Sequence, residues 1–226
     1  MNPVSTVDHL VIAAHSLAQG VAWCEAELGV MPQAGGEHPL MGTHNRVLRV
    51  STPQFARAYL EIIAIDPDAR DPGRVRWFDL DHPALRAAVR KQPRLVHFVA
   101  ECTNAPAGAQ ALAALGIDRG PLLAAQRDTP SGLLQWKISV RDDGQRLFDG
   151  ALPTLIEWGN LHPAAFLPES GLALLALDAS QPQPSDLQAA NAAIGLEGVT
   201  VQSGPFNLTA TLQTPRGIVT LESRDR

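Results

Sequence analysis

Short apolar runs rich in β-branched residues recur along the chain, each followed by a helical stretch and then by alternating runs. The first, Val7-Asp8-His9-Leu10-Val11-Ile12-Ala13, has the length and side chains of a buried strand. Ser16 stands where an N-cap is needed for a helix to about Leu28, with Val21, Trp23, Cys24 and Leu28 near helical spacing and Gly29 as the stop. Gly35-Gly36-Glu37-His38-Pro39 reads as a loop. Arg46-Val47-Leu48-Arg49-Val50 alternates as a half-buried strand, and Ala58 to Ile65 is another, closed by Asp66-Pro67-Asp68. The order is strand, helix, strands.

The pattern restarts twice. Leu95-Val96-His97-Phe98-Val99-Ala100-Glu101-Cys102 is a second buried strand, followed by Asn104 as N-cap of a helix ending at Gly116. Strands at Ile117–Leu123, Leu133–Val140 and Leu155–Trp158 come next. A third copy runs through a strand at Leu172–Leu177, a helix at Ser185–Gly195, and strands at Val199–Val201, Leu208–Leu212 and Ile218–Glu222. Between the first two copies, Asp71-Pro72-Gly73 marks a turn, and His82 to Arg90 a short helix with Pro83 in its first turn. These boundaries divide the chain into a first unit (1–66), a linker with a short helix (67–93), a second unit (94–163) and a third unit (164–226).

The repeats carry chemistry at matching places. His9 and His97 sit inside the opening strands of the first two units, an offset of 88 residues (9 to 97). Each of these units closes on an apolar strand with one glutamate, Glu61 or Glu157, at His-to-Glu spans of 52 (9 to 61) and 60 (97 to 157) residues. The third unit repeats the glutamate as Glu222 but has Ala173 or Leu174 where the histidine would stand, so it reads as structural.

Composition narrows the classes. The chain has 226 residues, 45% hydrophobic and 18% charged, with net charge -5, an ordinary globular make-up able to bury a core. Arginines are scattered and no basic block exists, which argues against nucleic acid. No apolar run reaches the roughly 20 residues of a membrane helix, and the N-terminus has no export-signal pattern. Cys24 and Cys102 are the only cysteines and fit small core residues, so the expected compartment is the cytoplasm.

The strand-helix-three-strand unit with His on its first strand and Glu on its last resembles the vicinal oxygen chelate superfamily, and within it the glyoxalase-like domain family. The residues that carry the resemblance are Val7-Asp8-His9-Leu10-Val11, Gly42-Thr43-His44-Asn45, Tyr59-Leu60-Glu61, Trp77-Phe78, Pro130-Ser131-Gly132 through Trp136, and Pro153 to Gly159 with His162-Pro163. The resemblance implies an α+β fold: tandem βαβββ modules forming a half-open barrel, here with a third βαβββ-like unit at the C-terminus. It also implies that His9, Glu61, His97 and Glu157 meet inside the barrel around one divalent metal.

Two imidazoles and two carboxylates suit Zn, Ni, Co, Mn or Fe(II). Four protein ligands leave room for a substrate chelating through two adjacent oxygens, and an enediolate formed beside a carbonyl would be stabilised there. A ligating Glu157 or Glu61 would act as base. The expected activity is that of a glyoxalase-like lyase or isomerase on a small α-oxo or α-hydroxy carbonyl compound.

Two alternatives stand beside it. His9, His97 and Glu157 alone would form the triad of an Fe(II) extradiol-type dioxygenase acting on a catechol-like substrate, although Glu61 would then crowd the metal. The fold also serves non-catalytic proteins that bind and sequester small molecules. His44, Asn45, Arg127 and Lys137 are candidates for substrate contact. Strand alternation puts Lys137 and Trp136 on opposite faces, so only one of them points inward. Trp77-Phe78 either covers the pocket mouth or staples the linker to the core. No metal role is assigned to His15, His38, His82 or His162. The third unit, with an apolar face to cover, points to a homodimer.

Overall fold

The computed structural model describes residues 3–224. The first unit holds β1 (Ser5–Ala13), α1 (Leu17–Leu28), β2 (Gln33–His38), β3 (Thr43–Arg49) and β4 (Tyr59–Ile65). After α2 (Pro83–Lys91), the second holds β5 (Arg94–Cys102), α3 (Ala105–Ala114), β6 (Leu122–Thr129), β7 (Gly132–Ser139) and β8 (Thr154–Trp158). The third holds β9 (Ala173–Gln181), α4 (Pro184–Ala193), β10 (Val199–Ser203), β11 (Asn207–Thr214) and β12 (Gly217–Glu222).

The helix punctuation works as its chemistry dictates. The Ser16 side chain accepts from the Gln19 N–H, Asn104 does the same for Ala107, and Gly29 takes the left-handed φ of 75° that ends α1. Two segments differ from expectation. Gly35 to His38 is the end of β2, with Glu37 and His38 paired to β3, and not a loop. The strand expected at Ile117–Leu123 lies further on, at Leu122–Thr129, because Asp118 to Gly120 turns first, with the Gly120 N–H donating to Asp118 Oδ1 at 2.8 Å.

Eight strands form one curled half-barrel sheet in the order β2-β3-β4-β1-β5-β8-β7-β6. In each half the last strand lies parallel beside the first, β4 by β1 and β8 by β5, and β1 meets β5 antiparallel at the centre. Strand alternation separates two faces. Val11, Ile63, Val99, Ile138 and Ile156 line the concave inner face. Leu10, Ile12, Leu60, Phe98 and Leu155 point outward into a second core.

The linker fills part of the barrel. Trp77, Phe78, Leu80, Leu85 and Val89 are buried with the inner-face residues. Phe78 and Asp79 hold left-handed φ values of 59° and 58°, a conformation costing about 1–3 kcal/mol per residue. It is clamped by Arg146, which donates to Asp79 Oδ2 and to the Val96 carbonyl, both at 2.8 Å.

The third unit has the βαβββ order of elements but a different sheet, β10-β9-β11-β12, in which the second strand, not the last, lies parallel beside the first. Its Leu174, Leu177, Leu208 and Leu212 share one core with Phe98 and Leu10. The apolar face that pointed to a second subunit is therefore covered within the chain. Glu222 lies on the edge strand β12, where its Oε1 accepts from Asn207 Nδ2 at 3.1 Å. Among the described residues, no helix is long and apolar enough to cross a membrane.

Candidate functional site

Slips in the β-ladders decide which side chains meet. Between β1 and β5, Val7 pairs with Ala100 and His9 with Val99, so Asp8 is an extra, bulged residue. The bulge sets the Asp8 carboxylate beside the next side chain, with Oδ1 2.5 Å from His9 Nδ1. Its Oδ2 accepts from Trp158 Nε1 and His162 Nε2, each at 2.8 Å. Burial acts to raise the Asp8 pKa, but hydrogen bonds from His162 and His9 outweigh it and hold the carboxyl well below the usual carboxylate range.

An ionised carboxylate accepts and does not donate, so His9 carries its proton on Nδ1. Its Nε2 lone pair then faces Glu61, with Oε2 3.6 Å away, and the Tyr59 ring stacks on the imidazole at 4.6 Å. Glu61 Oε1 accepts from Asn45 Nδ2 at 2.5 Å. The amide orientation is fixed because Asn45 Oδ1 accepts the Gly36 N–H at 2.7 Å.

A second slip, at Gly35-Gly36, changes the phase of β2: Ala34 pairs with Arg46, but Glu37 pairs with His44 and His38 with Thr43. His38 thereby faces inward. Its Nδ1 lies 3.0 Å from Thr43 Oγ1, and its Nε2 lies 3.3 Å from Asn45 Nδ2 and 3.9 Å from Glu61 Oε1. Because Nε2 faces an amide donor, it is the acceptor nitrogen. Burial pulls the His38 pKa down to about 4. Gly35 is needed for closeness, since a Cβ there would lie 1.9 Å from Asn45 Oδ1 and 2.7 Å from the Asn45 carbonyl oxygen, while one at Gly36 would lie 1.7 Å from the flexible end of Arg127 at Nη1.

These groups open into a cavity of about 470 Å³, walled by Val47, Trp77, Trp136, Ile138 and Trp158. Arg127 lines the same cavity, and its buried Nη1 has no hydrogen-bond partner among the described residues.

The second His/Glu pair is built differently. His97 Nδ1 lies 2.9 Å from the Gly150 carbonyl and must donate to it, while Nε2 accepts the Thr154 N–H at 3.1 Å. Arg119 Nη2 sits 3.3 Å from the same nitrogen, and the Phe78 ring covers the imidazole at 5.2 Å. Burial, with help from Arg119, holds the His97 pKa well below its usual value. The register shows where the glutamate went. Val11 lies opposite Glu61, and its counterpart Val99 lies opposite Thr154. Threonine thus occupies the carboxylate's place.

Four of the expected residues do not line this cavity. Glu157 is on the outer face, where it accepts the Ala105 N–H at the start of α3 at 2.9 Å and pairs with Lys137 Nζ at 3.0 Å. Lys137 is outside with it. His44 faces outward and lies 3.7 Å from Asp66. His97 points inward but has both ring nitrogens engaged. His9, Glu61, Asn45 and Arg127 do share the cavity. Asp8 and His38 also belong to this constellation and carried no expected role. Their signals were slight: an acid directly before His9, and a glycine pair just before His38.

The proton positions test whether a metal fits. Asp8, Glu101 and His162 place ligand atoms within 4.8 Å of one another. However, His162 Nδ1 accepts the Ala164 N–H at 3.1 Å, so the ring proton is on Nε2 and points at Asp8. A metal on that Nε2 would strip the ring of its last proton. Glu101 is also engaged, with Arg57 at 3.0 Å. His97 is closed for the same reason as His162. His9 is the opposite case: Asp8 behind Nδ1 and a free Nε2 lone pair towards Glu61 is the carboxylate–histidine arrangement that backs metal-bound imidazoles. Nitrogen and carboxylate donors at this spacing fit a divalent first-row ion.

A family model described as a glyoxalase-like domain matches residues 7–201. No curated protein matches the chain. A hypothetical protein from Staphylococcus aureus has a similar fold, with a TM-score of 0.61 at 11% identity over 90% of this chain and 88% of that one. Methylmalonyl-CoA epimerase from Streptomyces coelicolor, in complex with 2-nitronate-propionyl-CoA, aligns at a TM-score of 0.43 and 16% identity, covering 69% of this chain and 96% of that one. The Mycobacterium tuberculosis methylmalonyl-CoA epimerase aligns at 0.37 and 14%, covering 70% and 90%.

Proposed function

Because the chain belongs to the glyoxalase-like domain family, we propose that its barrel cavity hosts a metal-dependent lyase or isomerase reaction on a small α-oxo or α-hydroxy carbonyl compound. The observation that supports this is the Asp8–His9–Glu61 array opening into a cavity of about 470 Å³, a size suited to a small organic substrate. His9 and Glu61 would hold the ion, and when bound it would supply Lewis-acid stabilisation to two adjacent substrate oxygens.

The chain's own residues do the rest. Glu61 is the buried carboxylate facing the cavity, so it serves as the base that takes the proton next to the carbonyl. Of the two glutamates expected as base, Glu157 faces out and Glu61 faces the cavity. Asn45 fixes Glu61 in direction through its 2.5 Å bond. Asp8 fixes the tautomer of His9. Arg127 Nη1, buried without a hydrogen-bond partner among the described residues, would receive a substrate carboxylate or carbonyl.

The same observations weigh against a second reading. The Fe(II) dioxygenase reading needed His97 and Glu157 beside His9, and with His97 engaged and Glu157 on the outer face that triad is not assembled. The test begins with elemental analysis of protein purified without added metal, then EDTA treatment and reconstitution with Zn, Ni, Co, Mn or Fe(II). Reconstituted protein is incubated in D₂O with a panel of α-oxo and α-hydroxy acids and thioesters. Deuterium incorporation beside the carbonyl, lost in Glu61→Gln, is the expected result. Oxygen uptake with Fe(II) and a catechol, without deuterium exchange, would replace the first reading by the second. Tight ligand binding by metal-free protein with neither reaction would make it a binding protein.

A further inference from the structure

We infer that the cavity takes a small aromatic carboxylic acid, with the carboxylate held by Arg127 and the Trp77 indole N–H and the ring held by the Trp136–Trp158 pair. This rests on the cavity being the substrate site of the reading above, and it narrows that reading to α-oxo and α-hydroxy acids with an aromatic side chain.

The carboxylate end follows from two donors left unpaired. A buried N–H without an acceptor is costly, and folded proteins rarely keep one. Arg127 Nη1 and Trp77 Nε1 are both buried with no hydrogen-bond partner among the described residues, and both residues line this cavity. They come from different parts of the chain, β6 and the linker, yet both adjoin His38. The Trp77 ring meets the His38 ring edge-on at 5.2 Å, and the Arg127 charge is near enough to help lower the His38 pKa. Two donors, one of them cationic, call for an anionic oxygen group, and a guanidinium suits a carboxylate. His38 Nε2 also lies 3.9 Å from Glu61 Oε1. The carboxylate subsite and the base therefore flank one imidazole, which suits removal of a proton from a carbon close to that carboxylate.

The ring end follows from the sheet. Trp136 on β7 stands opposite Trp158 on β8, with ring centres 5.6 Å apart and planes tilted by 51°. Arg127 is on the same inner face, two residues along β6 from Ala125, the partner of Trp136. A cation and an aromatic pair are thus diagonal neighbours on one wall. The pair is held in place, because Trp158 Nε1 donates to Asp8 Oδ2 at 2.8 Å and its ring meets His162 edge-on at 5.3 Å. Tyr59 and Phe78 add further rings to the wall. Such rings pack well against another ring, offset or edge-on. At about 470 Å³ the cavity is also larger than lactate would fill.

The experiment measures binding of phenyllactate, phenyllactamide and lactate by isothermal titration to EDTA-treated protein, before and after addition of Zn(II). The wild type, Arg127→Gln, Trp77→Phe and Trp136→Leu are compared, with circular dichroism as the check on folding. The wild type should bind phenyllactate at least about 10-fold more tightly than either the amide or lactate. Arg127→Gln should erase most of the preference for acid over amide. Trp77→Phe keeps a ring and removes the N–H, so it should weaken phenyllactate about 10-fold and leave the amide unchanged. Trp136→Leu should weaken phenyllactate about 10-fold and leave lactate unchanged. Lactate or the amide binding as tightly as phenyllactate would overturn the inference, as would no binding with or without Zn(II), or a folded Trp77→Phe that binds as the wild type does. These preferences in protein that takes up no metal would support it while removing the metal from the reading above. Deuterium exchange as fast into lactate as into phenyllactate would overturn it and leave that reading standing.

Discussion

Asp8→Asn keeps the side-chain shape and removes its charge, so it isolates what the buried carboxylate does. Asp8 accepts three hydrogen bonds, from His9 at 2.5 Å and from Trp158 and His162 at 2.8 Å. An asparagine offers one oxygen. If that oxygen stays with Trp158 and His162, the amide NH₂ meets the His9 Nδ1–H, donor against donor. Either the bond is lost or the His9 proton moves to Nε2. A hydrogen bond to a charged group contributes about 1.5–3 kcal/mol, so one lost and two weakened give about 3 kcal/mol. In a chain of this size that lowers Tm by about 6–12 °C.

The tautomer change has its own consequence. A protonated Nε2 has no lone pair for a metal, and affinity for Zn(II) should fall at least about 10-fold. Thermal melts give the stability, ¹⁵N imidazole shifts give the tautomer directly, and titration calorimetry gives the affinity. A Tm within about 2 °C of the wild type, with His9 still protonated on Nδ1, would refute the account of Asp8 as the group that sets His9.

Three further outcomes follow from the same geometry. His97 is neutral in the fold because burial lowers its pKa, whereas the unfolded chain protonates it near 6.5. Its contribution is therefore intact above that pH and lost as pH falls below it, by up to about 1.4 kcal/mol per pH unit. Urea midpoints of metal-free protein that are equal at pH 7.5 and 5.5 would contradict this. Glu157→Gln removes a charge from the start of α3 and a half-exposed pair with Lys137, so stability should drop by about 1 kcal/mol or less, with metal content unchanged. Gly36→Ala places a Cβ 1.7 Å from Arg127 Nη1 and should push that flexible end out of the cavity. Binding of small carboxylates should weaken while the melting curve moves little, and unchanged carboxylate binding would remove Arg127 from the site.

The fold was legible because it is written in repetition. The opening strands of both units, their N-caps at Ser16 and Asn104, and the left-handed Gly29 depend on local residue chemistry that a reader of the chain can see. His9 and Glu61 were legible for the same reason. Glu157 was not, because a repeat in sequence order says nothing about strand phase. It lies three residues beyond Thr154, the true counterpart of Glu61, and three is an odd number on a surface that alternates every two. Asp8 and His38 depend on ladder slips that follow from pairing partners distant in the chain. The closed state of His97 needed knowledge of which backbone N–H reaches its Nε2, a fact of tertiary structure alone. The third unit shows the same limit: its order of elements was readable, but the pairing of β10 with β9 was not.

The Gly35-Gly36 slip makes the content of the cavity a matter of phase as well as composition. If β2 ran straight at its present length, Glu37 would turn inward and His38 outward. The cavity would then exchange an imidazole for a carboxylate with the composition of the chain unchanged. Strand register at this glycine pair thus sets the charge of the cavity wall, and with it the charge of the molecule the cavity would admit.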